Sequence, residues 1–193
     1  HTLHNLPFLP KPVMVHRIPQ YMAAHHSRHL TSRLALVVVD GLALDQWAVI
    51  REAWLEETRS WSIESNALFA WVPTLTPISR QAAFAGASPQ FFPDSWQTTN
   101  KEMAHWEHFW REQGLPPESI GYLRNLGVRD VRGSELEHGV LWDDVKEELE
   151  PQVHELLDNT QTQVAGLVIN TVDNIMHGMQ LGTAGMHQQV ELW

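Results

Sequence analysis

Leu34-Ala35-Leu36-Val37-Val38-Val39-Asp40-Gly41 is the stretch on which the fold turns. Six apolar residues, half of them β-branched, run without the polar alternation of a half-solvated strand. That pattern predicts a parallel strand covered on both faces. The run is the longest apolar one in the chain and far too short to cross a bilayer. It passes straight into Asp40-Gly41, a turn signal, and a helix is expected from near Leu44 or Asp45.

Beyond the turn, Trp47, Trp54 and Trp61 recur every seven residues with Ile50 and Leu55 beside them. This spacing predicts one helical face buried against the sheet, a core stripe and not a ligand site. Ala67 to Val72 reads as a second strand ending at Pro73. A short helix is expected after Thr76-Pro77, running to Ala85 and stopping at Gly86, and residues 87–99 read as loop. Lys101 to Gln113 is helical by pattern and is broken by Gly114 and Pro116-Pro117. Ile120 to Leu126 fits either a short strand or a helix. Leu141 to Asn159 reads as an acidic, solvated helix interrupted at Pro151. Val164 to Val172 predicts a third strand, again ending at an aspartate, Asp173, where a helix begins and fades at Gly182 or Gly185. Strands alternating with helices define an α/β layered fold with a mostly parallel central sheet flanked by helices.

Ahead of the first strand, residues 1–33 form an expected extended arm and short helix. Pro7, Pro10, Pro12 and Pro19 keep the arm irregular, and its apolar residues suit packing along the domain. Tyr21 to Ser32 follows as a helix carrying His25, His26 and His29. Adjacent histidines on a helix point to different faces, so a solvated helix is the expectation there. Residues 34–193 make up the α/β domain.

Composition narrows the function classes. The chain has 193 residues, a formal net charge of −10 and no cysteine. The acidic balance does not advertise a broad nucleic-acid surface. Without cysteine, disulfides, thiolate metal sites and a cysteine nucleophile are excluded. Cytoplasm is the default compartment and no membrane partner is expected. The chain opens on His1 instead of methionine, and it is expected to be a piece of a larger protein.

In open α/β sheets ligands bind beyond the carboxyl ends of the strands. Three reactive positions fall at such ends: Asp40, Thr76 and Asp173. Asp40 would either cap the following helix or offer a hard oxygen to a divalent metal. Thr76, followed by Pro77, fits a helix N-cap. The same place suits a nucleophilic hydroxyl beside a phosphate, because helix N-termini attract anions. Asp173 and His177 are spaced i, i+4 and share one helical face, as two ligands of one metal would. The alternative for them is an N-cap and a surface histidine.

Together, Val37-Val38-Val39-Asp40-Gly41-Leu42, Pro73-Thr74-Leu75-Thr76-Pro77-Ile78-Ser79-Arg80 and Asp173-Asn174-Ile175-Met176-His177-Gly178 resemble the alkaline-phosphatase superfamily. The resemblance is closest to its PglZ-domain family, whose proteins belong mostly to bacterial phage-exclusion systems. Order and spacing agree over most of residues 34–180. Thr76 stands where phosphodiesterases of the superfamily carry a threonine, and Ser79-Arg80 is similar to the Ser-Arg that follows the sulfatase nucleophile. The resemblance implies a metal-dependent phosphodiesterase or nuclease with two divalent ions, zinc or manganese. Asp40 and Thr76 would bind one ion, and Asp173 and His177 the other. Thr76 would form a covalent phospho-enzyme. Arg80 would either steady a phosphate oxygen or pack. A phosphate-ester or nucleic-acid phosphodiester is the implied substrate, and other phage-defence proteins are the implied partners.

The family also uses an adjacent Asp-His pair and a later histidine. No Asp-His dipeptide occurs here, and only sixteen residues follow His177. The expectation is an incomplete site, with the remaining ligands beyond residue 193 and little activity in this chain alone. The rival expectation is a catalytically inactive scaffold or interaction module of a defence complex. A phosphoglycerate-mutase-like isomerase fits less well, because that group uses serine as nucleophile.

Overall fold

The computed structural model describes residues 13–57, 61–126 and 151–173. In chain order the elements are α1 (Ile18–Arg28), β1 (Leu34–Val39), α2 (Leu44–Glu57), α3 (Thr76–Ala85), α4 (Glu102–Glu112), β2 (Ile120–Leu126) and β3 (Val164–Ile169). Residues 151–158 are also helical, Pro151 included. The rest of the acidic segment expected from Leu141 lies outside the described residues.

The strands form one open parallel sheet in the order β1-β3-β2, flanked by helices. The Leu34 N–H donates to Gln163 O and the Asp40 N–H to Ile169 O, both at 2.9 Å. The sequence offset is the same at the two ends of β1, as parallel pairing without a bulge requires. The segment left open between strand and helix, Ile120 to Leu126, is a strand.

Coverage of the strands departs from the sequence expectation. β3 is the doubly covered strand, with Val164 to Val168 all buried. β1 stands at the end of the described order and alternates in exposure, with Val37 48% exposed. A continuous apolar run is thus compatible with an outer strand. The expected strand over Ala67–Val72 reduces to one parallel bridge between Met14 and Phe69. There the Val15 N–H donates to Phe69 O and the Phe69 N–H to Val13 O. Pro73 follows four residues later, and the pairing does not extend to it.

The chain divides into two compact units, residues 1–36, 66–122 and 156–166 in one and residues 37–65, 123–155 and 167–193 in the other. The first unit holds an aromatic core. Phe84 of α3 meets Trp106 of α4 edge to face at 5.6 Å and Tyr122 of β2 at 5.3 Å, and Trp106 meets Trp110 at 5.4 Å. Gly166 makes this approach possible: a Cβ there would stand 3.0 Å from both Phe84 and Tyr122 ring atoms. The Trp106 indole N–H donates to Gly121 O at 3.1 Å, so the buried ring leaves no unpaired donor.

In the second unit the tryptophan series does not form the expected buried stripe. Trp47 is half-buried, but Trp54 is 44% and Trp61 60% exposed. α2 ends at Glu57, so Trp61 is off the helix, and a seven-residue repeat drifts around a straight helix in any case. The rings shield one another instead, edge to face at 6.0 Å and 6.2 Å. Among the described side chains of α2 the buried one is Gln46, whose Oε1 accepts the Ala43 N–H at 2.8 Å and fixes the first turn.

Candidate functional site

β1 ends by handing Asp40 and Gly41 into a tight turn. Gly41 has φ +77°, a backbone state that residues with a Cβ adopt at a cost. A Cβ on Gly41 would also stand 3.0 Å from the Asp173 Cα and backbone nitrogen. Glycine therefore does two things at this position, turning the chain and letting the Asp40 turn lie against Asp173. On the other side, residues 171–173 are already helical, two positions earlier than expected, and Thr171 and Val172 are buried. Asp173 thus sits at the start of a helix whose entry is anchored in the core. Asp40 directly follows β1, Asp173 lies four residues beyond β3, and the Gly41 next to Asp40 is seated against Asp173 in the second unit. Both make further interactions within the protein.

Thr76 and Arg80 belong to the first unit. Leu75, in extended conformation, is the N-cap of α3, and its carbonyl accepts the N–H groups of Ile78 and Ser79 at 3.1 Å and 3.0 Å. Thr76 is therefore the first helical residue, and the expectation that it caps the helix is corrected. The reason is the backbone pairing itself: the first helical N–H groups bond to the Leu75 carbonyl, one residue before Thr76. Freed from capping, the Thr76 side chain is exposed, and its hydroxyl has no hydrogen-bond partner among the described residues. The helix closes as expected on Gly86, with φ +63°.

The two residues that follow in the motif face inward. The Ser79 hydroxyl accepts the Trp71 N–H at 3.1 Å and ties the preceding loop to the helix. Arg80 is 7% exposed and forms a fork with Glu102 at the start of α4. Its Nε donates to Oε1 and its Nη2 to Oε2, both at 2.8 Å. Glu102 is fully buried and Oε2 also accepts the Tyr122 hydroxyl at 2.9 Å. One carboxylate thus joins α3, α4 and β2. Of the two roles open to Arg80 from its sequence, this geometry favours packing. Gln81 adds a further tie, donating to Pro77 O and Ser95 O at 2.7 Å each. The helix that presents Thr76 is held from three sides.

Sequence reasoning did not single out Glu102 or Tyr122. A signal was present for the first: Trp106, Phe109 and Trp110 lie four, seven and eight residues on. Glu102 therefore shares the apolar face of α4.

The donor types at hand are carboxylates and a hydroxyl, the hard oxygens that zinc and manganese accept alongside imidazole. In that respect Asp40, Asp173 and Thr76 fit the implied metals. Among the described residues no group of three or more histidine, aspartate or glutamate side chains converges. His177 lies outside the described residues. No helix among them is long and apolar enough to cross a membrane.

A family model described as the BREX system PglZ alkaline phosphatase-like domain matches residues 19–193 of the chain. Among curated proteins none matches it.

Proposed function

Because the chain belongs to the PglZ alkaline phosphatase-like domain family of BREX phage-exclusion systems, we propose that it carries a phosphoesterase site with Thr76 as nucleophile and Asp40, Asp173 and His177 as metal ligands. The observation that carries this reading is the Asp40-Gly41 turn seated against Asp173. Asp40 directly follows β1 and Asp173 lies in the helix that follows β3, beyond the carboxyl ends where α/β sheets bind ligands, and Gly41 both turns the chain and allows the close approach.

Thr76 supports the reading independently. Its exposed hydroxyl opens a ten-residue helix, where the dipole favours an approaching phosphate. In the proposed reaction the Thr76 Oγ1 attacks phosphorus in line while the ester oxygen opposite departs with the bonding pair, and the threonine proton passes through solvent to that departing oxygen. Water then attacks the phosphothreonine and restores the hydroxyl. Two divalent ions, zinc or manganese, would stabilise the attacking and leaving oxygens, with Asp40, Asp173 and His177 as proposed ligands. Arg80 acts on this reaction through α3: its pairing with Glu102 fixes the helix that presents Thr76.

The adjacent Asp-His pair that such sites use does not occur in this sequence. Where a longer protein carries this domain, its further segments would supply the remaining ligands; the substrates would be phosphate esters or nucleic-acid phosphodiesters and the partners other defence proteins. The test is hydrolysis of bis-p-nitrophenyl phosphate, with metal content, for this chain, the longer protein and its Thr76→Ala variant. Zinc- or manganese-dependent turnover by the longer protein, abolished in Thr76→Ala, is the expected result. A longer protein with neither metal nor turnover would leave an inactive scaffold as the better account.

A further inference from the structure

The last turn of α1 carries a pair of side chains that the proposed phosphoesterase does not use. His25 and His29 are both exposed, with ring centroids 4.8 Å apart and planes inclined at 41°. His26 between them turns the other way, into the core, where its ring meets the edge of Trp110 at 6.1 Å. The structure therefore separates the three histidines into one packing residue and one exposed pair.

The ring separation is one that a chelate can take. With metal–nitrogen bonds of about 2.1 Å the ring centres lie about 3.2 Å from a shared ion. Bite angles of about 90–110° then separate them by about 4.5–5.2 Å. The observed separation falls inside that interval. The backbone beneath is fixed as well, since the His29 N–H donates to both His25 O and His26 O at 3.1 Å. The pair also stands at the C-terminal end of the helix, where the dipole and the unbonded carbonyls favour a cation. Arg28, exposed in the same turn, opposes this with a like charge.

We infer that His25 and His29 form a two-imidazole chelate for a borderline first-row divalent ion, with water completing its coordination. Imidazole donors select nickel, copper and zinc over magnesium and calcium. The site is independent of Asp40 and Asp173, and stands or falls apart from the phosphoesterase reading.

Nickel is a suitable probe, titrated calorimetrically into the chain and into His25→Ala, His29→Ala and the double variant. Both positions are exposed, so circular dichroism should show the fold unchanged. The expected result is one nickel site in the parent that is weakened roughly tenfold or more by either single change and lost in the double variant. It should persist in Asp40→Asn/Asp173→Asn. Undiminished nickel binding by the double histidine variant would overturn the inference. So would loss of the site only on changing the two aspartates.

Discussion

Glu102→Gln is the substitution that tests most sharply how the Thr76 helix is held. In the parent, a fully buried carboxylate takes two bonds from Arg80 at 2.8 Å and one from Tyr122 at 2.9 Å. The amide is nearly the same size, so no cavity opens and the change is electrostatic. One oxygen is replaced by an NH2 that turns a donor towards either the guanidinium or the phenol. Arg80, 7% exposed, loses this countercharge. Breaking a buried pair from one side costs about 3–5 kcal/mol. Because the amide oxygen keeps one bond, about 3 kcal/mol is expected, or about 6–12 °C in Tm for a chain of this length. Thermal and denaturant unfolding measure it. The double variant Arg80→Met/Glu102→Leu, which removes both charges, should be less destabilised than the sum of its single changes. A loss below about 1 kcal/mol for Glu102→Gln, the size of an exposed pair, would refute the reasoning.

Two further outcomes are expected. Gly41→Ala combines a left-handed backbone cost of about 1–2 kcal/mol with a Cβ 3.0 Å from the Asp173 backbone. It should weaken zinc or manganese binding by the longer protein more than it lowers Tm, as calorimetric titration would show; unchanged affinity would remove Gly41 from the site. His105, half-buried against Phe92 at 5.1 Å, has its pKa lowered below 6.5, first by burial and then by the charges of His108 and Lys101. The unfolded chain therefore binds a proton that the folded chain resists. This contribution is fully present above 6.5 and is lost as the pH falls through that value towards the folded pKa. His105→Gln should flatten the decline in unfolding free energy between about pH 8 and about pH 5, and equal declines in parent and variant would contradict it.

Much of this architecture was legible because its signals are local. The apolar runs of β1 and β3, Gly41 after Asp40 and Gly86 after Ala85 each specify a strand, a turn or a helix end within a few residues. What was not legible depends on distant partners. Nothing near Trp54 and Trp61 states whether another segment covers them, and seven-residue spacing alone placed them inside. Nothing near Ala67–Val72 states that only Phe69 would find a strand partner, in Met14 more than fifty residues earlier. Thr76 illustrates a finer limit. Sequence located the helix start to within one residue, but the cap is decided by which carbonyl accepts the first N–H groups, and that is Leu75. The site divides in the same way. Asp40, Thr76 and Asp173 stand out as polar residues at the ends of apolar or proline-marked segments. The Arg80–Glu102–Tyr122 junction joins residues up to forty-two positions apart, and only packing reveals it.

The most direct test of Thr76 as nucleophile is to trap the covalent intermediate. The longer protein, turning over bis-p-nitrophenyl phosphate with zinc or manganese, is quenched in acid and digested, and the peptide containing Thr76 is analysed by mass spectrometry. The account predicts that this peptide gains the mass of the transferred phosphoryl ester, localised to Thr76, and that Thr76→Ala abolishes both the label and turnover. Turnover with an unmodified Thr76, surviving in Thr76→Ala, would contradict it.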